Sequence, residues 1–490
     1  MHCLNNYSQT SIFNQYHSLV IDSYENPSNF FKALKKHFDI DVFIPNSFKK
    51  AYYSKSGRNR EFSLKSMLCA LLIKHFLRLP KNTILLTFLH FSKELRYDFC
   101  QFYDKLPNES VLSKFMTTFT SEIKDFFNNL VSHAFPLFEE MDDELSTEHP
   151  LKGASNLLIY DTTGVKPVVK ENNPKYFQSL YNKNKKYSKK SGNKGFDPYK
   201  ATIGQMPKTS SANPFIKLDY LNGHHGYFLK FGMLSNGFGI PLHITFFDDL
   251  NIKIDNSNLS NGKDHKQTSD NASLKPILDN FLVRFPDYET NAFLADAEFD
   301  SYANYAYLKE CGFDKVLIPI NPRNSSKSNS QDISYDERGI PLCPNNSNLQ
   351  FKSDGSCGGK NRSLRLKFIC PKAKRKGTKL VTTCENPCSN KPSARTHYVY
   401  QDKNFRLYPG ILRNSTEWIN TYKKRTVIER SFASLKFNPC VSNPRTLNIN
   451  SIKSDVILAA SARVIIAILA YSMKKPEYLN QMSKLTRYIA

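Results

Sequence analysis

A mixed α/β fold preceded by a helical region is what this sequence predicts, and three observations carry it. Residues 1–150 repeat apolar side chains every three or four positions, as helices do. From residue 156, short apolar runs end in turn signals, as buried strands do, and alternate with helix-like segments up to residue 321. A polar, cysteine-bearing stretch, 322–400, then interrupts the pattern before the closing helices.

At 490 residues the chain exceeds one simple core. The changes of pattern divide it into an N-terminal helical domain (1–150), the first part of an α/β core (151–321), an insertion (322–400) and the C-terminal part of the core (401–490). In the first division, Ser63–Leu79, Asn82–Leu95 and Ser110–Phe135 read as helices, with Ser63 and Ser110 as N-caps and Pro80 and Pro107 as punctuation. Short helices joined by tight turns can set one helix in a DNA groove or pack as a plain bundle, and spacing does not separate the two.

In the second division, "NLLIYDTTG" (Asn156–Gly164) predicts a buried strand that ends at Asp161. The Lys-rich "YNKNKKYSKKSGNKG" (Tyr181–Gly195) reads as a loop. "GYFLKFGMLSNGFGIPLHITFFDD" (Gly226–Asp249) reads as a hairpin with Asn236-Gly237 at its turn. A helix (Ser273–Phe285), a strand ending in acids (Asn291–Asp300), a helix (Tyr302–Gly312) and a strand (Lys315–Asn321) follow. His224 and His225 point to opposite faces of a strand, which gives them structural roles. Near the end, "VILAASARVIIAILAYSM" (Val456–Met473) has about the length of a bilayer span. Arg463 at its middle makes it a buried core helix instead.

Lys and Arg number 68 against 44 Asp and Glu, a net charge of +24, which calls for a polyanionic partner, nucleic acid before membrane. With 40% hydrophobic residues, the chain can build real cores and is not a disordered tail. The N-terminus lacks a basic-then-apolar signal, and ten cysteines without an export signal predict reduced thiols or metal ligands in a cytoplasmic protein. Cys384 and Cys388 stand four residues apart, while Cys343 and Cys370 each precede a proline. These four thiolates can close a structural zinc site in a region too polar to build its own core. A loose loop with unligated thiols is the other reading.

"TYKKRTVIERSFASLK" (Thr421–Lys436) reads as one helix. At about 100° per residue, Tyr422, Arg425, Glu429 and Lys436 share a face about 60° wide, beside an apolar stripe of Ile428, Phe432 and Leu435. Asp161 and Asp296 close apolar strands, and carboxyl ends of strands are where open α/β sheets bind ligands. Three carboxylates suit Mg2+ or Mn2+, and a pair of such ions activates the attacking oxygen and stabilises the leaving oxygen of a phosphodiester. Arg425 and Lys436 are then phosphate contacts, and Tyr422 contacts sugar or phosphate, or packs. Lys185, Lys186, Lys189 and Lys190, and the run Lys372–Lys379, are either sequence-independent phosphate contacts or solvated loops. Spacing alone describes a plain surface helix equally well.

At these residues the sequence resembles a DDE transposase of bacterial insertion sequences, in the branch marked by Y-x2-R-x3-E-x6-K. Tyr422, Arg425, Glu429 and Lys436 match that signature. "YDTTG" resembles the segment around the family's first catalytic Asp, here Asp161. "LADAEFDSYANYAYLKECG" resembles that around the second, here Asp296, although Glu298 stands where the family usually has Gly. "LPNESVLSKFMTTF" is similar to a motif of the family's helical DNA-binding region. The resemblance covers most of residues 60–470 in order. It implies a ribonuclease H-like core behind an N-terminal DNA-binding domain, with two metal ions on Asp161, Asp296 and Glu429. It further implies DNA transposition: cleavage at terminal inverted repeats, then joining of the freed 3′-OH to target DNA. Double-stranded DNA is the implied partner, with a homodimer in the synaptic complex and no role for a membrane. A stand-alone metal-dependent DNA endonuclease and a DNA-binding protein derived from a transposase are the alternatives. The presence of all three acids argues against the second.

Overall fold

The computed structural model describes residues 29–53, 59–191, 195–221, 223–250, 269–321, 333–336, 338–359, 362–388, 393–413, 415–479 and 485. The N-terminal part is helical: α1 (Asn29–His37), α2 (Ile40–Phe43), α3 (Asn46–Tyr52), α4 (Leu64–Phe76), α5 (Asn82–Phe91), a π-helical turn (Glu94–Phe99), α6 (Glu109–Thr118) and α7 (Thr120–Glu144). Ser63 caps α4 as its sequence predicts, its Oγ accepting the Ser66 N–H at 3.0 Å. Ser110 does not cap α6. Asn108 does, taking the Val111 N–H at 2.9 Å, while the Ser110 hydroxyl donates to that same Asn108 oxygen. The predicted helix Ser110–Phe135 is two helices, because Phe119 leaves helical geometry (φ −110°, ψ 31°) and buries its ring among Phe48, Tyr52 and Phe115.

The core is a six-stranded mixed sheet built from β1 (Leu157–Val165), β2 (Lys217–Leu221), β3 (His224–Asn236), β4 (Pro241–Phe246), β5 (Ala292–Leu294) and β6 (Lys315–Leu317). β3 pairs antiparallel with β1, β2 and β4, and β5 and β6 continue the sheet parallel to β1. The hairpin turn is longer than Asn236-Gly237 implied. Gly239 takes the left-handed conformation (φ +77°), and the Asn236 side chain accepts the N–H groups of Phe238 and Ile240.

The Lys-rich segment is not a loop: α8 (Pro174–Ser191) is helical, with α9 (Pro198–Gln205) against it. Phe177, Leu180 and Asn184 recur at helical spacing. The two apolar residues pack toward Val169, Met206, Ile216 and Tyr227, and Asn184 donates to Thr202 Oγ1 at 2.9 Å. Lysines fill the solvent face, so their number masks a real amphipathic stripe.

After α10 (Asp270–Arg284) and α11 (Tyr302–Glu310), the insertion folds into short antiparallel strands: β7 (Leu342–Cys343), β8 (Asn346–Gln350), β9 (Lys352–Gly359), β10 (Arg362–Ile369), β11 (Ala373–Lys376), β12 (Lys379–Thr382) and β13 (Thr396–Tyr400). Contrary to the composition-based expectation, it has its own apolar cluster, including Ile340, Phe351, Leu366, Phe368, Val399 and Tyr408.

The chain ends with α12 (Thr416–Lys423), α13 (Thr426–Lys436), α14 (Pro439–Ser442) and α15 (Ile449–Ser472). α15 is apolar on nearly every side and therefore buried, as its sequence predicts. No described helix is long and apolar enough to cross a membrane. α15 packs on α4, α7 and β4, so one apolar cluster joins the N-terminal helices to the sheet. Asp455 of α15 accepts the buried Lys74 ammonium of α4 at 2.7 Å, with His75 Nε2 at 3.3 Å. Burial pushes the His75 imidazole below its usual range, so the charge pair is Lys74–Asp455.

Candidate active site

Strand β1, predicted to end at Asp161, runs on to Val165: it is buried through Tyr160, half-exposed at Asp161 and Thr162 beyond its pairing with β5, and buried again from Thr163. Ile159 pairs in parallel with Leu294. Asp161 stands two residues further along β1 and Asp296 two residues past the end of β5, close enough that the Asp296 charge acts on the Asp161 carboxyl. Asp296 also caps the 3-10 turn Ala297–Phe299 by accepting the Glu298 N–H at 2.9 Å, which fixes its rotamer.

Glu429 arrives on α13. Ile428 and Leu435 anchor this helix in the core, and Phe432 meets Phe231 of β3 edge-on at 6.0 Å. Gly239 holds the hairpin turn against the helix, since a Cβ there would stand 3.2 Å from the Val427 carbonyl oxygen. Two polar ties bind α13 to β1: Arg425 Nη1 donates to Asp161 Oδ2 at 3.3 Å, and Lys436 Nζ to Thr163 Oγ1 at 2.5 Å. Arg425 also donates to Glu429, so one guanidinium bridges the first and third acids.

The predicted single helix Thr421–Lys436 is divided. Lys424 and Arg425 donate to carbonyls only three residues back, to Thr421 at 3.0 Å and Tyr422 at 2.9 Å. That tighter winding puts Tyr422 on α12, where it stacks on Trp418, while its phenol stays within electrostatic reach of Arg425, Asp296, Asp161 and Glu429.

The electrostatics identify a place short of positive charge. Burial raises the Asp161 carboxyl to about 7; Asp296 and Glu429 push the same way, against the Thr162 N–H and Arg425. Asp296 is raised as well, by burial first and by Asp270 in part. Burial lifts the Tyr422 phenol to about 12 and pushes the Lys436 ammonium down to about 8. Among the described residues, the three carboxylates do not close within 4.8 Å of one another; they are spread around the Arg425 guanidinium. As hard oxygen donors, two of them under-neutralised where they stand, Asp161, Asp296 and Glu429 could hold a divalent ion such as Mg2+ or Mn2+.

Of the other acids in the second motif, Asp300 is fully buried in a two-point ion pair with Arg406 (2.8 and 2.6 Å) and holds the Asn321 N–H. Glu298 lies near Asp270, beside a buried relay in which Lys230 bonds Asp219 at 2.8 Å and Asp270 at 2.5 Å. Sequence reasoning missed this relay, although a lysine inside "YFLKFG" was its signal. It also missed Thr163, which shares the face of Asp161 because the two stand two residues apart on a strand. Lys185, Lys186, Lys189 and Lys190 stand exposed on α8, and among the described residues no hydrogen bond or ion pair joins them to the acids. Cys343, Cys370, Cys384 and Cys388 line one cavity in the insertion, remote in sequence from all three acids.

Residues 19–118 match a family described as Transposase domain (DUF772), a span that includes α1 to α6. The match supports a transposase family and a function in transposition. No curated protein matches the chain.

Proposed function

We propose that the protein is a DDE-type DNA transposase whose Asp161, Asp296 and Glu429 hold divalent ions for cleavage and joining of DNA. The carrying observation is the grouping of Asp161 on β1 with Asp296 at the turn after the adjacent parallel strand β5, with Glu429 tied to the first through Arg425. The transposase-domain match supports this reading, as does the sheet, whose antiparallel strands continued by parallel ones fit a ribonuclease H-like core. When bound, the ions supply Lewis acidity to the attacking and leaving oxygens of the phosphodiester.

The chain's own groups orient the DNA. Lys436 is a half-buried ammonium without an acidic partner among the described residues, and a phosphate is the anion that would compensate it. Arg425 is freed for a phosphate once the acids it bridges are neutralised, and its planar fork binds phosphate oxygens bidentately. The α8 lysines add contacts to the DNA backbone without sequence preference. The N-terminal helices bind the terminal inverted repeats, and a homodimer in the cytoplasm brings two transposon ends together.

The test is to incubate the protein with duplexes carrying the repeats that flank its coding frame, a target plasmid and Mg2+. Cleaved ends and end–plasmid joints are expected, both suppressed by EDTA. Cleavage without joints would leave a stand-alone endonuclease, and neither product would refute the proposal.

A further inference from the structure

We infer that the β-module built by residues 333–413 carries a structural zinc ion on Cys343, Cys370, Cys384 and Cys388, independently of the DNA chemistry proposed above. Cys343 ends β7, Cys370 follows β10, and Cys384 and Cys388 follow β12, so three separate segments of the module deliver the thiols. All four line one cavity of about 20 Å³, room for one water-sized sphere. The selection is specific: Cys357, the fifth cysteine of the module, lies on β9 opposite Arg365 and is not among the lining residues.

The surroundings are those of a ligand site. The backbone N–H of Lys372 is turned onto the Cys370 sulfur, and the Ala373 N–H closes the same turn on the Cys370 carbonyl at 3.0 Å. Such N–H to sulfur bonds orient and stabilise metal thiolates. Asn345 Nδ2 donates to the Asn386 carbonyl at 3.0 Å, which ties the Cys343 turn to the Cys384–Cys388 loop. Arg395 also lines the cavity, offering positive charge to a four-thiolate centre that is anionic overall.

Four soft thiolates with no carboxylate or imidazole among the lining residues select zinc over magnesium or calcium. All nine described cysteines are free thiols, so no disulfide competes for these four. Cys384 Sγ lies 3.3 Å from the Asn386 carbonyl oxygen, to which it donates. Among the described residues no three of these sulfurs lie within 4.8 Å of one another. Tetrahedral Zn–S bonds of about 2.3 Å set sulfurs roughly 3.8 Å apart, so holding the ion would bring the four sulfurs closer together than they stand here. One set of His, Cys and Asp atoms does lie within 4.8 Å, namely His75, Cys440 and Asp455. There the Lys74 ammonium already sits 2.7 Å from Asp455, and the cation's place is taken.

The test measures metal in the full chain purified without chelator, then Co2+ uptake after the metal is stripped. One zinc per chain is expected, with the visible bands of tetrahedral thiolate Co2+ on substitution. Cys370→Ser and Cys384→Ser should lose the zinc, and Cys357→Ser should keep it. A wild-type chain that holds no zinc and shows no Co2+ thiolate bands would overturn the inference. So would zinc retained in both ligand variants, or the four cysteines found paired as disulfides. If the ligand variants do not fold, the wild-type Co2+ spectrum alone decides.

Discussion

Asp161→Asn should stabilise the metal-free protein. Burial and the neighbouring acids move the Asp161 carboxyl from 3.8 to about 7, with its side chain 17% exposed. A carboxyl raised in this way favours the fold fully below its unfolded value, and that contribution is lost as the pH rises through about 7. At pH 8 its ionisation therefore costs the folded state roughly 4 kcal/mol, or about 2 to 4 kcal/mol allowing for screening by solvent at the rim. Asparagine keeps the shape and removes the charge. Urea unfolding in EDTA should therefore show Asp161→Asn more stable than wild type by that amount at pH 8. The gap should shrink to under half at pH 5, where the folded carboxyl is protonated. Saturating Mg2+ should raise the stability of wild type and leave Asp161→Asn almost unchanged. Equal stability of the two proteins in EDTA at pH 8 would refute the claim that Asp161 is a charge-starved carboxylate awaiting a cation.

Three other outcomes follow from the same geometry. Asp300→Asn strips the buried Arg406 of its partner and should cost about 3–5 kcal/mol in urea unfolding, whereas Asp296→Asn should cost far less and act on cleavage instead. Lys436, with its folded value lowered to about 8, makes the protein more stable as pH rises from 8 toward 10.5. Its contribution to DNA affinity should fade over that window in fluorescence anisotropy, while Lys436→Arg stays flat. Replacing Lys185, Lys186, Lys189 and Lys190 by Gln should flatten the plot of log affinity against log salt by up to about 0.9 per lost contact. An unchanged slope would return α8 to a solvated surface.

What could be read in advance depended on how local the cause was. "NLLIYDTTG" declares a strand within nine residues, though not that it runs past Asp161 to Val165, and α15 declares its burial by having no polar face. The division of Thr421–Lys436 depends on two hydrogen bonds that tighten one turn, which leave no trace in residue spacing. α8 hid because lysines outnumber the three residues that face inward. The module's core draws on Ile340, Phe368, Val399 and Tyr408, contacts so far apart in sequence that no periodicity reveals them. In the site, the elements near each acid were legible but not their ends: β1 runs past Asp161 to Val165, and β5 stops at Leu294, two residues before Asp296. The acids' arrangement around Arg425 and the Lys436–Thr163 tie exist only after β1, β5 and α13 are assembled.

Nicking of a repeat-bearing duplex in Mg2+ tests the central claim most directly, with binding of the same duplex measured in parallel by gel shift. Wild type should nick. Asp161→Asn, Asp296→Asn and Glu429→Gln should each fall to the no-enzyme background while binding within a few-fold of wild type. Nicking at the wild-type rate by any one of the three would contradict the assignment of that carboxylate, and nicking by all three would contradict the site.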